Sequence, residues 1–474
     1  MMKRIPILIL LFTFIFQFGN AQEIELPLGK IVDSIPTADT TASSFAIYLP
    51  QNFNQKEQWP VIFVFDHEGR GRATTQLFRT VAEEQSYIIA SSNLNLKQDS
   101  LKNNLDKVAP FINQVDGMLS IDRKQVYVAG LSAGGQLATA LPFLYNNVSG
   151  VLAVENAWIN TEYLNINNKF MFSALACDSN NSMFVLEEIE NYLDSKNFPT
   201  EINYYTCEED VEWPDVDVIR NAVAGFTLNA MKEGKRTKDL NLVKSLFDAE
   251  VEYAEVLRRT RNYYQAFEKL KQIEDKYEDF DIDVDLRDQI RNIRRNKAFK
   301  EQRRDYRNVA ASEEAKQEEY IYYMETDVVT SNFENVGWWA VQVEDLKKNE
   351  EKFSGPKQKM ASRLQGFLDN LSKNYYDGYV NSQATPRSKV FVSVLRTIFD
   401  KEDPEAYLNI IKIAGHDGDH ETALLYLEDL LKTGFDDMEA LYEIEGILDL
   451  KLSEAYNDKI REYLGEAKYY KAEG

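Results

Sequence analysis

Short apolar runs alternate with helical or polar stretches between Ala46 and Gly150 and shortly beyond. The runs are FAIYLP at 45–50, VIFVFD at 61–66, YIIASS at 87–92, VYVAG at 126–130 and GVLAVE at 150–155, followed by KFMFSALAC and EINYYTC. Several are apolar throughout, as expected of strands that helices cover on both faces. Helices are predicted near 74–85, 101–119, 134–146 and 214–233. This alternation predicts an α/β fold with a mostly parallel sheet.

The pattern changes near Gly234, because the rest of the chain is rich in Glu, Lys, Asp, Tyr and Leu at helical spacing and nearly free of strand-like runs. We therefore expect an α/β domain at 22–233 and an all-α domain at 234–474. Two segments resemble tetratricopeptide repeats, and small alanines there would let helices approach closely. Their marker residues are Tyr263, Ala266, Leu270 and Ile273, then Gly418, His420, Ala423, Leu427 and Leu430. The irregular stretch from about 285 to 400 makes a divergent helical solenoid the prediction.

The amino terminus has the features of an export signal. Lys3 and Arg4 precede an apolar run that ends near Phe16, and Gly19 and Ala21 stand where signal peptidase reads small residues. The run is shorter than the roughly 20 residues that a membrane span needs. We predict a signal peptide at 1–21 and a mature bacterial protein in the periplasm, at the cell surface or secreted, without a transmembrane segment.

Composition narrows the function classes. Of the 474 residues, 44% are hydrophobic and 12% aromatic, which argues for ordered globular domains rather than a disordered chain. The 77 acidic residues outnumber the 54 basic ones, so the formal net charge is −23. Phosphate-rich partners are repelled at long range, and we expect no nucleic-acid binding.

The most specific motif is VYVAGLSAGGQLA at 126–138, in which a predicted strand runs through G-x-S-x-G into a predicted helix. Ser132 would occupy the nucleophile position on the sharp turn, where side chains at Gly130 and Gly134 would collide with neighbouring backbone. The backbone N–H of Ala133 would face an oxyanion. The loop within VIFVFDHEGRG would supply the second donor, with His67 and Glu68 as candidates.

With this flanking pattern, the chain resembles the secreted esterase or dienelactone-hydrolase-like α/β-hydrolases of Bacteroidetes type, over roughly residues 40–233. The resemblance implies an acid after the strand two beyond the elbow and a histidine, often written G-G-H-x-W-P, after the last strand. Asp178 is the only carboxylate at the first position. Trp213 and Pro214 fit the second pattern, which places Val211 where the histidine is expected.

A serine hydroxyl without a base is a poor nucleophile, and Val211 cannot accept a proton. His67 would either orient the oxyanion loop or serve as a non-standard base. His420 occupies a packing position of the second repeat-like segment, which predicts a core or semi-exposed structural role. His416 lies in the turn GHDGDH, where turn chemistry competes with a surface contact or a weak metal ligand. We predict no cofactor and no metal site.

Cys177 and Cys207 stand at the carboxyl ends of two predicted neighbouring strands. They are either bonded to each other, which would stabilise the fold by roughly 3 to 4 kcal/mol in the chain-entropy view, or two separate buried thiols. Six carboxylates crowd the adjacent loop, at Glu208, Glu209, Asp210, Glu212, Asp215 and Asp217. This loop is either a solvated acidic segment or a patch suited to a basic partner or a divalent cation.

Three functions follow from these features. One is a catalytically impaired pseudo-esterase that binds another envelope protein through its helical domain, with a small ester or a glycan as a further candidate ligand. The alternative is an active carboxylesterase-like serine hydrolase that uses Ser132 with His67 or another base. The third is a glycan-binding or carbohydrate-esterase accessory protein in which Trp158, Trp338 and Trp339 stack on sugars, although core packing explains these side chains more simply.

Overall fold

The computed structural model describes residues 26–38, 43–97, 99–207, 213–283 and 285–469. The predicted signal peptide, Val211 and the acidic residues at 208–210 and 212 lie outside the described residues.

The described residues contain an eight-stranded sheet with the order β1-β2-β4-β3-β5-β6-β7-β8. The strands are β1 Ile31–Pro36, β2 Ser44–Tyr48, β3 Trp59–Phe65, β4 Ile88–Ser92, β5 Ile121–Leu131, β6 Val148–Val154, β7 Met171–Cys177 and β8 Thr200–Tyr205. β2 runs antiparallel to both β1 and β4, and the other neighbours pair in parallel. This order confirms the predicted fold class, a mostly parallel sheet of α/β-hydrolase type.

Helices cover both faces of the sheet. They are α1 Gly71–Leu77, α2 Arg79–Gln85, α3 Leu101–Met118, α4 Ala133–Ala140, α5 Ser182–Ser195 and α6 Val216–Lys232. Alternate residues of β3 belong to separate cores: Val61, Phe63 and Phe65 to one, Ile62 and Val64 to the other. The apolar runs are continuous because both faces of each central strand are buried.

The rest of the described chain is helical, as predicted. Its helices are α7 Leu240–Arg259, α8 Tyr263–Tyr277, α9 Arg287–Arg295, α10 Lys297–Thr330, α11 Val336–Lys352, α12 Pro356–Val380, α13 Pro386–Phe399, α14 Pro404–His416, α15 His420–Lys432, α16 Met438–Glu443, α17 Leu448–Lys451 and α18 Glu454–Leu464. Ala266 and Ala423 are fully buried in the two predicted repeat-like segments. The tetratricopeptide assignment itself stays a prediction, and none of the described helices is long and apolar enough to span a membrane.

One expectation about a single side chain is corrected. His420 was predicted to be in the core or semi-exposed, but it is exposed at the first position of α15. Trp339 is fully buried, and Trp338 packs against the same core, so core packing, the simpler of the two explanations, accounts for this pair. Trp158 remains partly exposed beside Phe143.

Apolar and ionic contacts join the sheet to the first helices of the helical region. Ala224, Leu228 and Met231 of α6 share one core with Val243 and Leu246 of α7. Glu250 of α7 is 0% exposed and pairs with the ammonium groups of Lys269 and Lys276 of α8 at 2.7 and 2.8 Å. Lys276 also pairs with Glu201 of β8 at 2.9 Å. The predicted boundary at 233/234 is therefore crossed by a continuous core and a buried ion-pair network.

Candidate active site

Ser132 stands alone between β5 and α4, with φ 55° and ψ −115°. Few residues other than glycine adopt positive φ, and holding such a conformation costs about 1–3 kcal/mol. Its N–H donates to the carbonyl of Val154 on β6 at 3.0 Å, which fixes the turn against the neighbouring strand. The half-buried serine thus has the strained placement that the elbow motif predicts.

The glycines around the serine are required by close backbone contacts. A Cβ on Gly130 would lie 2.0 Å from the carbonyl oxygen of Gly134, and a Cβ on Gly134 would lie 2.0 Å from that of Phe65. Gly135, which the motif did not single out, is equally constrained, since its Cβ would lie 2.1 Å from the carbonyl oxygen of Asn156. The turn, β3 and the loop after β6 are therefore in direct backbone contact.

We expect Gly134→Ala to lower the free energy of unfolding by about 1–3 kcal/mol, because the added methyl group must push the β3 backbone away. Urea unfolding monitored by circular dichroism measures the change. Gly117→Ala is the matched control, since nothing lies within 4 Å of the added Cβ on α3. Equal unfolding curves for the two variants would contradict this account of the turn.

Asp66 organises the loop that follows β3. The carboxylate accepts hydrogen bonds from the Glu68 N–H at 2.9 Å, from Arg70 Nε at 3.0 Å and Nη2 at 2.8 Å, and from Trp213 Nε1 at 2.7 Å. Burial raises the pKa of Asp66, but the hydrogen bonds from Arg70 and Trp213 outweigh it, and the pKa lies below its ordinary value. The charged Asp66 therefore joins this loop to Trp213, which lies within the acidic segment at 208–217.

These bonds limit which groups can face an oxyanion. The N–H of Glu68 is committed to the Asp66 carboxylate, and the N–H of Gly69 donates to the Asp66 carbonyl at 3.0 Å. The His67 carbonyl accepts from Leu96, and the residue is only 5% exposed. Of the predicted oxyanion donors, Glu68 fits the role least well, because its N–H already donates within its own loop.

Asp178, the predicted acid, directly follows β7, two strands beyond β5 in the sheet. It is 8% exposed, and its Oδ2 accepts hydrogen bonds from Thr206 and from Gln265 of α8, both at 3.3 Å. The same oxygen forms an ion pair with Lys359 of α12, and the Asp178 carbonyl accepts from Arg363. The side chain therefore stands where a triad acid is expected, but its described partners come from the helical region and the end of β8.

Cys177 and Cys207 are bonded in a disulfide, with Cα atoms 5.6 Å apart. Cys177 ends β7 immediately before Asp178, and Cys207 lies two residues beyond β8. The bond therefore holds together the two strand ends from which the acid and base loops of the fold begin.

Within the described ranges, no hydrogen bond joins the Ser132 hydroxyl to a histidine or a carboxylate. His67 is buried in the loop after β3, while His416 and His420 lie at the turn between α14 and α15. The side chain of His416 is 72% exposed and lies 3.5 Å from the Asp417 carboxylate. The structure thus places a nucleophile position and an acid position in the expected elements without a described base between them.

The strand order and the elbow define this chain as a protein of α/β-hydrolase fold. The sequence matches no family model and no curated protein. Several solved esterase structures are similar to part of the chain, with TM-scores below 0.5.

An arylesterase is 12% identical, with a TM-score of 0.30 over 38% of this chain and 77% of that one. Fungal esterases from Rhizomucor miehei give 10% identity, a TM-score of 0.35 and coverage of 44% and 86%. A feruloyl esterase module from Clostridium thermocellum gives 11% identity, a TM-score of 0.33 and coverage of 41% and 84%.

Proposed function

We propose that this chain is a catalytically impaired pseudo-esterase of α/β-hydrolase fold that acts by binding in the cell envelope. In this proposal the predicted signal peptide exports the chain, and the helical region presents a surface to another envelope protein. The elbow is retained as part of the fold.

The main support for this proposal is that the Asp178 carboxylate is bonded to side chains of the helical region. In a catalytic triad the acid accepts a hydrogen bond from the imidazole and stabilises the imidazolium that forms. Here an ammonium group from α12 and an amide from α8 hold the carboxylate oxygen instead. A cation beside this carboxylate would also disfavour a second positive charge on a neighbouring imidazole. The sequence supports the same proposal, because Val211 stands where the histidine is expected and cannot accept a proton.

The alternative function is an active serine hydrolase that uses Ser132 with His67 or another base. The backbone strain at Ser132 favours it, because strained residues persist where the surrounding structure holds them for a purpose. In this alternative the Ala133 N–H, at the start of α4, would serve as one oxyanion donor.

Labelling with a fluorophosphonate probe separates the two functions. We expect the mature wild-type chain and Ser132→Ala to label equally slowly and to hydrolyse p-nitrophenyl acetate at the same rate. Removal of the base from a serine hydrolase lowers kcat by about 10⁶-fold, so an authentic serine esterase run alongside should react far faster. Rapid labelling and turnover that both vanish in Ser132→Ala would refute the pseudo-esterase and establish the alternative.

A further inference from the structure

A cleft of about 1050 Å³ lies between the β8 side of the sheet and the helical region. β8, α5, α8, α10 and α12 contribute to its walls, and Ser132 is not among its lining residues. A cleft of this volume is large enough to hold a drug-sized ligand or a short peptide. It is therefore a second candidate site, separate from the elbow.

Aromatic rings form part of the wall. The rings of Tyr264 and Tyr306 stack with centroids 4.7 Å apart, and Phe184 and Tyr204 line the same cleft. Aromatic faces bind apolar stems and attract cations through their quadrupole. The wall is thus suited to a ligand that combines an apolar body with a positive charge.

The buried cations of the cleft already have anionic partners. Arg363 forms a two-pronged pair with Glu313, with nitrogen–oxygen distances of 2.8 and 2.6 Å. Lys276 pairs with Glu201, Lys269 with Glu250 and Lys359 with Asp178. These groups have little capacity left to attract an anionic ligand.

Two carboxylates of α5, by contrast, have no cationic partner among the described residues. Glu187 and Glu190 are both half-buried, and their three-residue spacing places them on one face of the helix. Glu187 accepts a hydrogen bond from the Tyr204 hydroxyl at 2.7 Å, the one side-chain hydrogen bond it has within the described parts of the chain. Burial, followed by the charges of Glu187, Asp194 and Glu201, raises the pKa of Glu190 to about 7. The free protein thus holds unfavourable negative charge that a ligand could neutralise.

A second observation comes from a different wall of the cleft. Asp178 is 8% exposed, and its Oδ1 is a buried acceptor without a hydrogen-bond donor in the described parts of the chain. Leaving such a group unsatisfied costs about 1–3 kcal/mol. A ligand that carries additional N–H donors would meet this need.

We propose that the cleft binds a ligand with an ammonium or guanidinium group on an apolar stem, and that Glu187 and Glu190 hold the cation. The stem lies against the tyrosines, and a further N–H of the ligand reaches Asp178. The ligand is either a free amine or the basic side chain of a peptide. The proposal rests on the binding part of the proposed function and gives it a ligand class, but it does not depend on the reactivity of Ser132.

Isothermal titration calorimetry of the mature chain tests this with N-acetyl-Phe-Arg-amide, its neutral citrulline counterpart, and agmatine as a free amine. We expect the citrulline peptide to bind about 10- to 100-fold more weakly than the arginine peptide, the loss typical of a charged hydrogen-bonded contact. The double variant Glu187→Gln/Glu190→Gln should weaken the arginine peptide by a similar factor. Glu188→Gln on the same helix is exposed and does not line the cleft, so it should bind like the wild type.

The melting temperature of the double variant is a second readout. It should equal or exceed that of the wild type, because two like charges are removed, so lost binding would not reflect misfolding. Agmatine binding as tight as that of the peptide identifies a free amine as the ligand, and binding of the peptide alone identifies a basic side chain.

Three results would overturn the proposal. The first is that neither the arginine peptide nor agmatine binds. The others are that the citrulline peptide binds as tightly as the arginine peptide, or that the double variant binds the arginine peptide as tightly as the wild type. Binding by Ser132→Ala should match the wild type. If the chain proves to be an active esterase and still binds the arginine peptide, the pseudo-esterase proposal fails but the ligand proposal stands.

Discussion

Glu250→Ala should lower the free energy of unfolding by about 3–5 kcal/mol, the loss typical of breaking a buried ion pair by removing one partner. Glu250 is fully buried and pairs with Lys269 and Lys276, which are themselves almost completely buried. Without the carboxylate, two ammonium groups remain close together, and among the described ion pairs Glu201 is left to pair with Lys276 while Lys269 has no anionic partner. The Tyr277 hydroxyl also loses its acceptor at 2.9 Å.

Urea unfolding at neutral pH measures this effect, and Glu252→Ala provides the matched control on the same helix. Glu252 is exposed and pairs with Arg259 at the surface, so its loss should cost at most about 1 kcal/mol. Similar losses in the two variants would show that the buried network does not hold the junction together.

The same network predicts a pH dependence. Burial raises the pKa of Glu250, but the charges of Lys269 and Lys276 outweigh it and lower the pKa from 4.5 to about 2. A carboxyl whose pKa is lower in the folded state contributes stability that is complete above the unfolded value. That contribution is lost as the pH falls from about 4.5 through 2. The difference in stability between wild type and Glu250→Ala should therefore shrink over this acid range.

Removal of the disulfide should have the second large effect. The residues Cys177 and Cys207 are 30 positions apart, and a loop of this length predicts a loss of about 3–4 kcal/mol in the chain-entropy view. The double variant Cys177→Ala/Cys207→Ala should melt at a lower temperature than the wild type. Dithiothreitol should lower the melting temperature of the wild type and leave that of the double variant unchanged.

Mass spectrometry provides an independent check on the bond. After alkylation in denaturant, prior reduction should add two alkyl groups to the wild type. Equal masses with and without reduction, or a wild-type melting temperature that dithiothreitol does not change, would contradict the bond.

The sequence predicted the central strands because helices on both faces make them apolar throughout. It did not predict β1, where Asp33 and Ser34 interrupt the apolar pattern, Ser34 has φ 58°, and the register with β2 shifts. It also did not predict α5, although Leu186, Ile189 and Leu193 are buried at helical spacing.

At the candidate site, the sequence predicted the elbow, because its residues are set by the geometry of a short stretch of backbone. Gly130 and Gly134 flank Ser132 within five positions, and each lies so close to other backbone atoms that a side chain there would collide with them. The partners of Asp178 were not predictable, since Gln265 and Lys359 are 87 and 181 residues away in the chain. No periodicity or motif connects such positions, and the cleft formed by the same long-range packing was equally hidden.

α8 lies against β8, the strand at one edge of the sheet. β8 ends the sheet, and an uncovered edge strand offers unpaired N–H and C=O groups to strands of other molecules. The Gln272 side chain donates to the Ile202 carbonyl of β8 at 3.1 Å, while Lys276 holds Glu201 of the same strand. The first helices beyond residue 233 thus shield the sheet margin, and a chain cut short there would expose a strand able to recruit others into aggregates.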